Sequence, residues 1–317
     1  MYRKILVVSL FLSLSAGSEV LAEEYNIFVD KNNTSGIEDG TEANPFDTID
    51  EALTLASANE PENRKIYVKN GEYPESIEMP EETEIYGESK NDTILNGDGY
   101  STTVTMQNRN KLKNIKIYKG KYGISIEKNS KVEISKVKIQ KSEKIGINME
   151  ESDKKRLIEI KNCEIYDSEG KGIYIKKSNY ARIYDNEIYD NEEEGIDIRS
   201  KAKGSIKSNK IYKNGEGGIE LIVERSKMDI DKNKIYKNSA SGIALQAYKG
   251  GLSSVSDNGI EKNKISSNKH YGIKCDTPSN LKTAKPVLWS QSATLKNNTI
   301  EKNKQGLFSN ICHFETY

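Results

Sequence analysis

The sequence predicts an all-β parallel β-helix: a solenoid whose rungs, each of about 23 residues, hold three short strands. Three observations carry the prediction. A Gly-Ile pair recurs as Gly123-Ile124, Gly146-Ile147, Gly172-Ile173, Gly195-Ile196, Gly218-Ile219, Gly242-Ile243 and Gly272-Ile273, with a degenerate Gly306-Leu307 at the end. Successive glycines lie 23, 26, 23, 23, 24, 30 and 34 residues apart. Asn186, Asn209, Asn233, Asn263 and Asn298 keep the same register, each two residues before an isoleucine. A third short segment follows each Gly-Ile unit, as in Val132-Glu133-Ile134, Ile158-Glu159-Ile160, Arg182-Ile183 and Asp229-Ile230. All three segments alternate apolar and polar residues, which is strand periodicity. A repeat of this kind buries its apolar face only against its neighbours, so the chain must stack.

The chain opens with a leader-like segment. Arg3 and Lys4 precede the apolar run Ile5 to Leu14, and Val20-Leu21-Ala22 supplies small residues for cleavage. The expectation is a signal peptide over 1–22, a mature chain from Glu23, and secretion to periplasm or exterior. The run is too short to span a bilayer, and no later segment reads as a transmembrane helix.

Residues 23–100 read as an N-terminal cap with the first rungs. Thr48 and Glu51 look like a capping box opening an amphipathic helix over about 48–58. Its Ile49, Ala52, Leu53 and Ala56 would cover the open end of the solenoid, where a bare rung is a sticky sheet edge. Residues 101–317 then hold the regular repeats. Two insertions, 247–257 and 277–293, follow the same strand in neighbouring rungs and account for the two longest periods. Loops from one corner can wall a binding groove, and Tyr248 and Trp289 within them could stack on sugar rings.

The corners explain a second set of asparagines. Asn191, Asn214, Asn238 and Asn268 each lie four residues before a Gly-Ile glycine, with Ser142 and Ser168 equivalent in earlier rungs. Asparagine tolerates the left-handed conformation, and stacked amides can bond to one another as ladders. Tyr166, Tyr189, Tyr212 and Tyr236 form a further file, read as an aromatic ladder or as a platform for polysaccharide.

Composition excludes several classes. Lys+Arg and Asp+Glu balance at 48 each, and no run of basic residues suggests nucleic acid. Three cysteines make no disulfide framework: Cys163 and Cys275 alternate inward as small apolar residues, and Cys312 is either free or paired with Cys275. With only His270 and His313, the chain assembles no His/Cys metal cluster or nucleophilic triad.

The segment before the repeats reads Asp39-Gly40-Thr41-Glu42-Ala43-Asn44-Pro45-Phe46-Asp47-Thr48-Ile49, and later Gly71-Glu72-Tyr73. With the repeats that follow, it resembles the pectate-lyase-like superfamily of right-handed parallel β-helix proteins over roughly residues 25–309. The resemblance implies a right-handed solenoid and work on polysaccharide as a lyase, glycoside hydrolase or uronate epimerase. It also admits non-catalytic surface or glycan-binding proteins.

In Gly-Ile-x-Ile the isoleucines point inward and x points outward. The outward file is Ser125, Asn148, Tyr174, Asp197, Glu220, Ala244 and Lys274. The next is Glu127, Glu150, Lys176, Arg199, an irregular place near Val223, Gln246 and Asp276. Asp197 and Glu220 thus fall on adjacent rungs, a pair suited to glycoside hydrolysis. Lys176 and Arg199 are candidates for taking a uronate C5 proton, and Tyr174, Gln246 and Lys274 for binding substrate. The superfamily often carries catalytic or calcium groups on this sheet, and Asn191-Glu192-Glu193-Glu194-Gly195-Ile196-Asp197 is similar to its Asn-x-x-Asp-Gly-Ile-Asp pattern. That likeness implies a calcium site at Glu194, Asp197 and Glu220. The chain departs from the family enzymes in lacking the Gly-His-Gly and Asn-Thr-Asp units of polygalacturonases.

Overall fold

The computed structural model describes residues 25–247, 257–276, 293–312 and 314. The expected leader, Tyr248, Trp289 and nearly all of the two insertions lie outside the described residues.

Every strand pairs in parallel with its counterpart one rung on, and the strands form three sheets of 11, 10 and 10 strands. One, the Gly-Ile sheet, runs from Ile77–Met79 to Gly306–Phe308. The tyrosine sheet runs from Gly71–Tyr73 to Thr299–Glu301, and the third from Ile27–Val29 to Ala293–Lys296. The stack passes unbroken from cap to repeats, since Glu84 pairs with Lys111. Isoleucine sits on isoleucine: Ile147, Ile173, Ile196, Ile219 and Ile243 in one file, Ile165, Ile188, Ile211 and Ile235 in another. All are fully buried. A one-residue slip would turn each file to solvent, so register is strongly specified.

The Gly-Ile glycine is required by space. A Cβ on Gly195 would meet Ile211 Cγ2 at 2.6 Å and the Gly218 carbonyl at 2.8 Å. The corner is therefore only as wide as a backbone.

The expected asparagine ladders are present, and there are two. Asn209 Oδ1 accepts from the backbone N–H of Asn186 at 3.0 Å and from its Nδ2 at 2.9 Å. Asn209 Nδ2 donates to Asn233 Oδ1 at 3.0 Å and to the Ile183 carbonyl at 2.9 Å. The pattern continues through Asn263 to Asn298. A parallel ladder runs from Asn191 through Asn214, Asn238 and Asn268 to Asn303. The left-handed conformation, however, belongs to the residue before each ladder asparagine: Asp185, Asp190, Ser208, Lys213, Lys232, Lys237 and Lys262 have φ between 52° and 58°. The asparagine must aim its amide along the stack, so its neighbour makes the turn and carries its own side chain outward.

Helix α1 (Ile49–Ala58) closes the N-terminal end as expected, burying Ile49, Ala52, Leu53 and Ala56. Thr48 is its N-cap, but Glu51 takes the Thr48 hydroxyl rather than its backbone N–H. Glu75 from the first rungs instead accepts from the N–H groups of Ile49 and Asp50, at 3.0 and 2.9 Å, satisfying two of the helix's orphan donors. At the other end Cys275 and Cys312 form a disulfide, which settles their open pairing, while Cys163 is free and buried. Cys312 and Phe314 pack against the core, leaving Leu307, Phe308 and Ile311 exposed.

Asn209→Ala would leave the buried Asn186 backbone N–H and one of its amide hydrogens without a partner, and would take one bond each from Asn233 Oδ1 and the Ile183 carbonyl. Unpartnered buried groups cost about 1–3 kcal/mol each before relaxation, so the variant should lose about 3 kcal/mol in urea unfolding. A loss below about 0.5 kcal/mol would mean the ladder is incidental.

Candidate functional site

The outward face of the Gly-Ile sheet brings Tyr174, Asp197 and Glu220 onto consecutive rungs, as the register Tyr174↔Asp197 and Asp197↔Glu220 shows. The surprise is their burial. Asp197 is 0% exposed and Glu194 5%, although both leave the solenoid core. They are covered by two cations. Arg199 Nη2 lies 2.7 Å from Asp197 Oδ2, and its Nη1 lies 3.7 Å from Glu220 Oε1. Lys171 Nζ lies 2.9 Å from Glu194 Oε2, 3.5 Å from Asp197 Oδ2, and pairs also with Glu193. The Arg199 guanidinium stands 5.4 Å from the Tyr174 ring centre, within cation–π range.

This setting pulls the carboxyls apart in acidity. Burial pushes Asp197 up to about 6; Arg199 opposes it and the charge of Glu194 adds to it. Burial pushes Glu220 up to about 7, reinforced by Glu194 and Asp197 and only partly relieved by Arg199. A hydrogen bond to Glu194, then burial, lifts Glu216 to about 7. Burial also works against Glu194, but the bonds from Glu216 and Lys171 outweigh it and hold it below its ordinary value. Near neutral pH the cluster thus holds both proton donors and acceptors.

Other expected residues take partners or roles that differ from expectation. Lys176 bonds to Glu150 at 2.7 Å and approaches the Tyr174 ring to 6.0 Å. Arg199 is no base: burial lowers its basicity, but Asp197 and Tyr174 raise it further. The irregular outward place is Ile222, registered on Gln246, while Val223 is fully buried. Lys274 bonds to Asp276 at 2.8 Å and is separated from Glu220 by Ala244, and Gln246 registers on Asp276. Tyr174, Lys176, Arg199 and Ile222 line an open hollow of about 480 Å³.

Two residues were missed. Lys171 precedes Gly172 as Glu194 precedes Gly195, and Glu216 and Glu193 both lie two residues before their glycines. The signal for both lies in the two columns before the repeated glycine, which stack from rung to rung as the columns after it do.

The trio Glu194, Asp197 and Glu220 does not fit a divalent cation. Lys171 and Arg199 already occupy the space between these carboxylates. Among the described residues the acidic groups close enough to share an ion are Glu38, Asp47 and Glu51, all exposed on the cap.

The tyrosine file is a ladder. Ring centres of Tyr166, Tyr189, Tyr212 and Tyr236 are 4.8, 5.0 and 4.9 Å apart, with planes within 8°. The faces cover one another, so between them they offer no open ring surface to a sugar.

Residues 102–253 match the family model described as right handed beta helix region. The fold is the right-handed parallel β-helix. Among solved structures, the chain is similar to tailspike protein 2 from Escherichia coli O157:H7 bacteriophage CAB120, at 13% identity and a TM-score of 0.62. That match covers 84% of this chain and 40% of the tailspike, so the chain spans well under half of its length. Pectate lyase Pel9A aligns at 12% identity and TM-score 0.55, over 86% of this chain and 78% of that one. The A-module of Azotobacter vinelandii mannuronan C-5 epimerase AlgE4 aligns at 12% and 0.52, over 92% and 100%. At such identities the likeness establishes the fold alone. A comparison with curated proteins finds no match. Among the described residues no helix is long and apolar enough to cross a membrane.

A raised carboxyl binds its proton more tightly folded than unfolded, so Glu220 lowers stability as pH climbs from its ordinary value through about 7. Glu220→Gln should therefore match the wild type in stability at pH 4 and exceed it at pH 8. The gain is on the order of 1 kcal/mol after solvent screening. Parallel melting curves at the two pH values decide it; a variant less stable at pH 8 would contradict the assignment.

Proposed function

We propose that this chain, exported by its leader, acts on an acidic polysaccharide at the hollow beside Asp197 and Glu220, removing a proton next to a sugar carboxylate. The observation that carries this reading is a hollow lined by Tyr174, Lys176, Lys177 and Arg199 together with Glu151 and Glu224, whose Arg199 reaches on its other side toward Glu220, a carboxyl poised near neutrality. Arg199 anchors and neutralises the sugar carboxylate, which makes the C5 proton more acidic. Glu220 takes that proton when ionised. Departure of the C4 oxygen as an alcohol, protonated by water as its bond to C4 breaks and the C4–C5 double bond forms, gives a lyase product; delivery of a proton from water to C5 on the other face gives an epimer. Tyr174 supplies a ring against which the sugar packs, and Asp197 holds the guanidinium in place.

Pectate lyase Pel9A and the AlgE4 epimerase module support this substrate class by sharing the fold. Hydrolysis by the Asp197–Glu220 pair is less favoured, since both carboxyls would have to face the scissile bond and Asp197 is fully covered. No step uses a metal.

The test is product formation on a panel of acidic and neutral polysaccharides, with calcium and with chelator. Unsaturated ends, reducing ends and uptake of deuterium from heavy water at C5 are followed together. The expected result is unsaturation or deuterium uptake on polyuronates, insensitive to chelator and rising as pH passes about 7. Glu220→Gln should lose turnover by at least about a hundredfold. Reducing ends from neutral glycans alone, or an unimpaired variant, would overturn the reading.

A further inference from the structure

The tyrosine sheet carries a surface with a different charge history. Its strands Glu164–Tyr166 and Glu187–Tyr189 place Glu164 on Glu187, and their corners carry Asp185 and Asp190 at the left-handed positions. One rung on, the sign reverses at the same places. Lys210, Lys234 and Lys264 register directly on one another. Of the left-handed corners in these rungs, Lys213, Lys232, Lys237 and Lys262 are lysines and Ser208 and Ser267 are uncharged. Like charges stacked one rung apart destabilise a sheet, and alternating the signs would remove the cost. Lys210 and Lys213 lean back onto Glu187 and Asp190 of the acidic rung. Lys232, Lys234, Lys237 and Lys264 have no acidic group within ion-pair reach among the described residues, and the strand lysines are exposed. Because each rung contributes only a few of these lysines, the patch is invisible as a run in the sequence.

We infer that the lysine array over the rungs of residues 210–264 is a docking surface for an acidic polysaccharide, separate from the acid–base face. Charge complementarity selects the partner. An extended polyanion laid along the solenoid axis meets a fresh ammonium on every rung, and counterion release drives its binding. Stacked bases are less suited, because Tyr212 and Tyr236 bury ring faces against each other, whereas single-stranded nucleic acid is held on open aromatic faces. Double-stranded DNA is the competing polyanion the test must exclude. The surface would hold a long glycan chain while the other face works on it, yet its binding needs no chemistry at Glu220.

Binding of the full chain to polygalacturonate, dextran and a short DNA duplex at low and raised salt tests this. Polygalacturonate should bind, weaken with salt and outcompete DNA, with dextran silent. Lys234→Gln/Lys264→Gln should weaken binding about tenfold at low salt without lowering the melting temperature. Lys232→Gln/Lys237→Gln gives a second readout of the same patch. Equal affinity of wild type and both lysine variants would overturn the proposal. So would absence of polygalacturonate binding, or tighter binding of the duplex.

Discussion

The vertical register of the rungs is the constraint on which everything else depends, and two columns of asparagine amides enforce it. Each amide oxygen takes two donors from the rung below, and each amide nitrogen bridges to the rung above and back to a carbonyl. Such a column is satisfied only when neighbouring corners align, so it penalises a slip that the isoleucine files alone would penalise less sharply. The residue before each ladder asparagine turns outward in the left-handed conformation, as Lys136, Lys141, Asn162 and Asp167 do at the same corners of rungs without the asparagine. Fixed register stacks residues of one column at rung spacing, whether they are isoleucines, tyrosines, carboxylates or lysines.

That stacking works for or against stability according to the column. Apolar and aromatic columns gain from it, as the near-parallel tyrosine rings show. Acidic columns do not. Asp197 on Glu220, with Glu194 beside them, concentrates negative charge where little water reaches, and Lys171 and Arg199 compensate only in part. The result is a strained electrostatic site, the place where proton exchange is cheapest. Perturbed acids beside a hollow mark functional sites more often than ordinary surface.

Most of the fold was legible because its signal is periodic. The glycine spacing, the inward isoleucines, the cap helix and the amide ladders follow from one-dimensional patterns. So did the adjacency of Tyr174, Asp197 and Glu220, since one alignment of the repeats places all three. What was not legible depends on side chains reaching across columns. Lys176 swings to Glu150 instead of the acid pair, and Lys171 arrives from the column before the glycine. Burial of Asp197 could not be read at all, because an outward residue is covered only when its neighbours' long side chains fold over it. The Cys275–Cys312 bridge joins a strand to a tail outside the repeat, where periodicity says nothing.

The claim that register builds an acid–base site is tested most directly by titrating the side-chain carboxyl carbons of the intact chain by NMR. Asp197→Asn and Glu220→Gln supply the assignments. Titrations centred at about 6 for Asp197 and about 7 for Glu220 are expected, with a downward shift of Glu220 when Asp197 is neutralised. Titration of both near the ordinary carboxylate range, indifferent to the partner, would contradict it.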